Sequence, residues 1–270
     1  MIIYGLIGEK LSHSFSPILH DIIFKNSDIR GKYNLFEVEK SGLKDLVEDL
    51  RYLKVRGYNV TIPYKVEILK YIDEISDEAA NIGAINTLHF KDGKIIGNNT
   101  DYYGFGAVLR RAAVDIKGKS ALILGTGGAS KAVFYYLKNK GIKDIVFMSR
   151  NPEKAKTIYP DAEIFSYNDL GGLGNMDIIV NTTPLGMYPY IDKSPVDENT
   201  ISKFKLAVDL IYNPIQTKFL KLADEMGLKT ANGLYMLTSQ GIKSQEIWNE
   251  MEFKEEFYEK VYDEVRKHVR

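Results

Sequence analysis

The chain has 270 residues, enough for one large domain or two modest ones, and its 44% hydrophobic and 27% charged residues are ordinary for a globular protein. Lys plus Arg and Asp plus Glu both total 36, so the net charge is zero and a generally nucleic-acid-binding surface is not expected. There is no cysteine, which excludes disulfides, thiolate metal sites and a cysteine nucleophile.

Absence of cysteine fits a reducing cytosol, so a cytoplasmic location is expected. Met1 to Gly8 is apolar but too short for a signal h-region, and no basic segment precedes it. No apolar run approaches a membrane span.

Ile2 to Ile7 reads as a buried strand ending at Gly8. A polar loop follows, containing His13-Ser14-Phe15-Ser16-Pro17. Pro17 suits a first helical turn with Ser16 as N-cap, and the helix runs to about Lys25, burying Ile18, Leu19, Ile22 and Ile23. Tyr33 to Val38 is a second strand. Ser41 caps a helix through Leu53, with Leu43, Leu46, Val47 and Leu50 at helical spacing. Tyr58 to Ile62 is a third strand, stopped by Pro63. Lys65 to Tyr71 and Asp77 to Ile82 read as helices. Ala84 to Phe90 and Lys94 to Gly97 read as a hairpin around Lys91-Asp92-Gly93.

Asp101 begins a helix to about Val114. Strands follow at Ala121 to Leu124, Asp144 to Met148, Glu163 to Tyr167, Asp177 to Val180 and Leu206 to Ile211, the first of them leading into a helix from Ala129 to Lys140. Strands alternating with helices imply βαβ crossovers and a parallel sheet. Gly233 to Glu250 is helical. Phe253, Phe257, Val261 and Val265 recur every four residues, a stripe packed on the body of the protein. The expected fold is α/β with two domains. Residues 1–101, completed by helices in 237–270, form one α/β domain, and 102–236 form a doubly wound Rossmann-type domain.

Ser120 to Lys131 joins an apolar strand to a helix through Gly125-Thr126-Gly127-Gly128-Ala129. Free N–H groups at a helix start, and small residues before it, suit a pyrophosphate. The pattern G-x-G-G-x-S places Ser130 where a third glycine is usual, and taken alone it also describes a plain turn. A Rossmann second strand normally ends in an acid that binds the ribose of NAD. Here it ends Ser149-Arg150-Asn151, with Lys154 a turn later, which favours the 2′-phosphate of NADP.

Gly57 to Lys65 delivers Asn59 and Thr61 to one strand face and Lys65 to a helix start, where the dipole disfavours an ammonium and eases proton exchange. Asp101 in Asn99-Thr100-Asp101 is either a helix cap or an acid paired with Lys65 for alcohol–ketone chemistry. Ser14, Ser16, Asn59, Thr61, Asn86, Tyr212 and Gln240 supply uncharged hydrogen-bonding groups for a small polyhydroxylated molecule. His13, His20, His89 and His268 have no metal-ligand spacing, so no metal site is expected.

These motifs resemble the shikimate dehydrogenase family over essentially the whole length. The matching stretches are 13–17, 57–65, 83–87, 99–101, 125–129, Asn181-Thr-Thr-Pro-Leu-Gly-Met187, 209–214 and 233–240. The resemblance implies NADPH-dependent reduction of 3-dehydroshikimate to shikimate, with Lys65 and Asp101 as the catalytic pair. It implies that Ser14, Ser16, Thr61, Asn86 and Gln240 hold the substrate, with the serines and Tyr212 near its carboxylate. It places the Gly125 to Ala129 loop, the Arg150 region, Leu210, Gly233 and Asp77 by the cofactor. The sequence departs from the family pattern at Lys10, Tyr102 and Ser149-Arg150-Asn151. Rival readings are a quinate/shikimate dehydrogenase using NAD, and a non-catalytic module that senses a dinucleotide or metabolite. The expected partner is a small molecule, with no nucleic acid and no membrane, in a monomer or homodimer.

Overall fold

The computed structural model describes residues 1–53, 55–169 and 172–269. The chain divides into two compact units, Met1–Gly104 with Thr238–His268, and Phe105–Leu237.

The first unit contains β1 (Ile2–Gly8), α1 (Ser16–Asn26), β2 (Gly31–Glu37), α2 (Leu43–Tyr52), β3 (Val55–Val60), β4 (Glu74–Ile75), α3 (Asp77–Ile82), β5 (Thr87–Lys91), β6 (Lys94–Asn98) and the start of α4 (Asp101–Arg111). Its sheet has the order β2-β1-β3-β5-β6-β4. β1 runs parallel to β2 and β3, while β5 runs antiparallel to β3 and β6. Leu43, Val47 and Leu50 of α2 pack with Ile7, Tyr58 and Val60 in one core cluster. A second cluster gathers Tyr4, Leu6, Leu11, Tyr33 and Trp248.

Local structure departs from the sequence reading in definite places. α1 starts at Ser16 itself, with Phe15 in the N-cap position and no side-chain capping bond, so Ser16 is not the cap. That register buries His20 rather than Ile18, which is 36% exposed. The His20 ring stacks on Tyr33 at 3.9 Å and shares a 2.9 Å bond with Gln245. Burial lowers its pKa to about 3, so it sits neutral in the core. Ser41 lies in a 3-10 turn ahead of α2 and does not cap it.

Gly57 shows why β3 needs a residue without a side chain. A Cβ there would stand 1.9 Å from Nε1 of Trp248, a fully buried indole that donates to the Leu88 carbonyl at 2.8 Å. Gly57→Ala is therefore expected to destabilise the fold by ~1–3 kcal/mol through overpacking. A drop in the urea midpoint at unchanged slope would show it.

The second unit contains the rest of α4, β7 (Ser120–Leu124), α5 (Gly128–Asn139), β8 (Asp144–Ser149), α6 (Pro152–Ile158), β9 (Glu163–Ser166), β10 (Ile178–Asn181), α7 (Glu198–Ile201), β11 (Leu206–Asp209), α8 (Lys218–Glu225) and β12 (Lys229–Ala231). All its strand pairs are parallel, in the order β12-β11-β10-β7-β8-β9. Counted along this unit, that is 6-5-4-1-2-3, the doubly wound arrangement with its switch between β7 and β10. β7 and β10 are apolar and buried on both faces, as parallel strands under helices must be. The strand expected to reach Ile211 ends at Asp209.

α9 (Leu234–Asn249) and α10 (Glu255–Arg266) close the chain. α10 lies against α1 and buries Val261 and Val265. Among the described residues no helix is long and apolar enough to cross a membrane.

Candidate active site

Lys65 and Asp101 come together in the first unit. Lys65 Nζ donates to Asp101 Oδ2 at 2.6 Å, and the two side chains are 16% and 9% exposed. Lys65 does not begin an α-helix. It lies in a turn before a five-residue 3-10 helix, Glu67–Tyr71, so the helix-dipole argument for this lysine fails. Its place is fixed instead by the Ile85 N–H, which donates to the Lys65 carbonyl at 2.7 Å.

Asp101 is the first residue of α4, but its carboxylate is not spent on capping. Oδ1 accepts from Asn86 Nδ2 at 2.9 Å while Oδ2 accepts from Lys65. Asn86 is held in turn: its Oδ1 accepts from the Thr100 N–H at 2.7 Å and from Thr87 Oγ1 at 2.9 Å. The Asp101 N–H donates to Asn99 Oδ1, and Asn99 Nδ2 donates to the Ala84 carbonyl. A buried polar lattice thus fixes one carboxylate rotamer and leaves the ammonium at the edge of the site.

The second unit carries a cleft of about 990 Å³. Gly125, Thr126 and Gly127 line it with Ser149, Arg150, Asn151 and Lys154, as do Thr182, Thr183 and Tyr190. Gly125 adopts φ +95°, and a Cβ there would meet Thr183 Cγ2 at 2.9 Å, so this turn admits only glycine without strain. A Cβ on Gly127 would meet nothing within 4 Å, which leaves that backbone open to a ligand. Gly128 and Ala129 open α5, presenting free N–H groups. The described lining contains no acid, and among the described residues neither Arg150 nor Lys154 has an ion-pair partner. Two unpaired cations where an acid would bind a bare ribose fit a phosphorylated one, so the donor set suits NADP.

Residues 6–88 match the shikimate dehydrogenase substrate binding domain, and residues 108–227 match shikimate / quinate 5-dehydrogenase. The chain is 49% identical to a shikimate dehydrogenase (NADP(+)) of Clostridium perfringens, over 98% of this chain and 99% of that one. The chain belongs to the shikimate dehydrogenase family. Among solved structures, it is similar to a chorismate mutase/shikimate 5-dehydrogenase fusion protein from Clostridium acetobutylicum, with 49% identity, a TM-score of 0.97 and coverage of 100% and 98% of the two chains. It is also similar to a shikimate 5-dehydrogenase from Thermus thermophilus in complex with NADP(H) and shikimate, at 29% identity, a TM-score of 0.87 and coverage of 98% and 100%.

Within this shikimate dehydrogenase fold, the other expected substrate residues divide. Gln240 Oε1 accepts from Thr100 Oγ1 at 3.3 Å, beside the Lys65–Asp101 pair. Ser14 Oγ accepts from the Ser16 N–H, and Ser16 neighbours the buried Tyr33 hydroxyl. Thr61 follows β3, its N–H bonded to the Ile7 carbonyl. Asn59 is buried, its Oδ1 accepts from Tyr33, and its Nδ2 bonds Ser244, Thr87 and the Asn86 carbonyl, so its amide braces the core around Asn86. Tyr212 lies in the second unit, after β11.

Of the expected cofactor residues, Leu210 and Gly233 follow β11 and β12, tied through the Gly233 N–H to the Ile211 carbonyl. Asp77 lies in the first turn of α3, in the other unit. Asn151 has a second duty, since its Oδ1 caps α6 at the Lys154 N–H. Sequence reasoning missed Thr182, Thr183 and Tyr190. The signal was present: Asn181-Thr-Thr-Pro-Leu-Gly-Met187 follows the fourth strand of a doubly wound sheet, where the switch point opens.

Proposed function

We propose that the protein catalyses reversible NADPH-dependent reduction of 3-dehydroshikimate to shikimate, with Lys65 and Asp101 as its proton-transfer pair. The carrying observation is the 2.6 Å Lys65–Asp101 contact, held by Asn86 next to Gln240. Bound in the second unit, the cofactor supplies a hydride to the carbonyl carbon. Lys65 gives a proton from Nζ to the carbonyl oxygen, which stays on its carbon and becomes the new hydroxyl. Asp101 accepts the Nζ hydrogen bond throughout and keeps the lysine aimed. In the reverse direction the neutral amine takes the hydroxyl proton. Asn86 keeps Asp101 from turning away. Ser14, Ser16, Thr61, Gln240 and Tyr212 orient the substrate's hydroxyls and carboxylate, and Gly125 to Ala129 with Ser149, Arg150, Asn151 and Lys154 hold the dinucleotide.

The relative from Thermus thermophilus, described with both NADP(H) and shikimate, supports this assignment of two ligands to one chain. Purified protein should reduce NADP+ in the presence of shikimate, read as absorbance of the reduced nicotinamide. Quinate and NAD serve as comparison substrates. Saturable binding without turnover on any of these pairs would overturn the enzymatic assignment and favour a sensor. A cytoplasmic location and a monomeric or homodimeric state complete the proposal, the latter to be read by sedimentation.

A further inference from the structure

Asp209 is the most deeply buried carboxylate in the second unit's site region, and the proton-transfer scheme does not use it. It ends β11, is 0% exposed, and accepts three hydrogen bonds, all from neutral groups. Thr217 Oγ1 donates to Oδ2 at 2.6 Å, while the Ile211 N–H and Asn181 Nδ2 donate to Oδ1, each at 3.0 Å. These donors come from the start of α8, the segment just beyond Leu210, and the end of β10.

We infer that Asp209 is a positioning residue for the dinucleotide, acting by fixing the amide orientation of Asn181 and through it the Thr182–Leu185 wall of the cleft. An ionised carboxylate only accepts. Asn181 must therefore turn its NH2 toward Asp209, and that NH2 also reaches the Leu185 carbonyl at 3.2 Å. Its Oδ1 is thereby directed at Thr183, accepting from the N–H at 2.9 Å and from Oγ1 at 2.7 Å. Thr183 is the residue whose methyl packs against the Gly125 turn. The chain of constraint runs from Asp209 to Asn181, to Thr183, to the glycine loop, and each link lies within the second unit. A group at 209 that can also donate lets the Asn181 amide flip, which faces its NH2 at the Thr183 N–H and loosens the wall.

Burial raises the Asp209 pKa from 3.8 to about 6, and hydrogen bonds from Thr217, Ile211 and Asn181 hold it from rising further. Below that pH the carboxyl becomes a donor, so acid should reproduce the effect of an amide. The inference rests on this cleft being the NADP site.

The test is NADPH binding to full-length protein by titration calorimetry from pH 5.5 to 8, wild type against Asp209→Asn, with steady-state kinetics beside it. At pH 8, Asp209→Asn should weaken NADPH binding about 3- to 10-fold, the range of one lost net hydrogen bond. The shikimate KM should stay within about twofold, since that interaction is not touched. The 2′-phosphate itself titrates near pH ~6, so the reading is the difference between the two pH curves. Wild type and Asp209→Asn should converge as pH falls below 6. Parallel curves, or equal loss for NADPH and shikimate, would overturn the inference. Asn181→Leu, which removes both the donor to Asp209 and the acceptor for Thr183, should weaken NADPH by at least the same factor, and unchanged binding there would also refute it. Absence of NADPH binding in wild type would instead refute the assignment of the cleft.

Discussion

Lys65→Ala is expected to lower kcat by about 10²- to 10⁴-fold, the contribution of a positioned proton donor. The effect should fall on kcat with little change in the NADP+ KM, because Lys65 belongs to the first unit and the cleft is lined by residues of the second. Alanine removes the only basic partner that Asp101 has among the described ion pairs. The carboxylate is left nearly buried with Asn86 alone, so some loss of stability accompanies the loss of rate. Lys65→Met keeps the apolar stem and separates the two effects. Asp101→Asn should be milder in stability and still slow turnover, since an amide can hold Asn86 yet no longer pairs with the ammonium. Stopped-flow measurement of nicotinamide absorbance with saturating shikimate would read the chemical step directly. Near-normal turnover in Lys65→Ala would remove Lys65 from the mechanism.

The sequence made some of this site legible and concealed the rest, for physical reasons that differ by residue. β7 and the glycine turn were visible because an apolar run buried on both faces and a run of small residues are local signals. Lys65 stands out in the sequence as a helix start, which the structure does not have there; its environment is set by Asp101, 36 positions away. Two-residue alternation places Asn59 on one face of β3, but its bond to Ser244, from the far end of the chain, is not legible in that spacing. His20 is buried where polarity favours exposure, since Tyr33 offers a stacking surface that periodicity alone does not reveal. α6 and α8 went unread although each opens on a capping residue, Asn151 before Pro152 and Thr217 before Lys218. α6, with Ala155 as its one buried residue, has little apolar periodicity beyond its cap, whereas α8 does carry an apolar face in Phe219, Leu220 and Ala223. Asp209 appeared in a motif, yet its burial and its grip on Asn181 required the strand order to be known.

Arg150→Ala is expected to raise the NADP+ KM by about 10- to 100-fold, corresponding to loss of one charge-assisted contact of ~1.5–3 kcal/mol, and to leave the NAD KM within about twofold. Arg150 follows β8, beside β7 at the C-terminal edge of the parallel sheet, where a Rossmann fold presents the adenosine ribose. Its guanidinium has no acid to neutralise it among the described residues, and an exposed fork of donors matches a phosphate. Lys154, one turn into α6, adds charge without a fixed geometry, so Lys154→Ala should cost less than Arg150→Ala. Because both cations are exposed, added salt should weaken NADP+ binding more than NAD binding in wild type, and the difference should shrink in Arg150→Ala. At saturating cofactor kcat should be retained, since a contact made equally in the ground and transition states affects KM alone. Arg150→Asp carries the argument one step further. It replaces the phosphate-pairing cation with the acid that normally bonds a free 2′-hydroxyl, and should turn the preference toward NAD. If Arg150→Ala raised both cofactor KM values by the same factor, the arginine would be shaping the cleft rather than reading the phosphate, and discrimination would then fall to Ser149, Asn151 and Lys154.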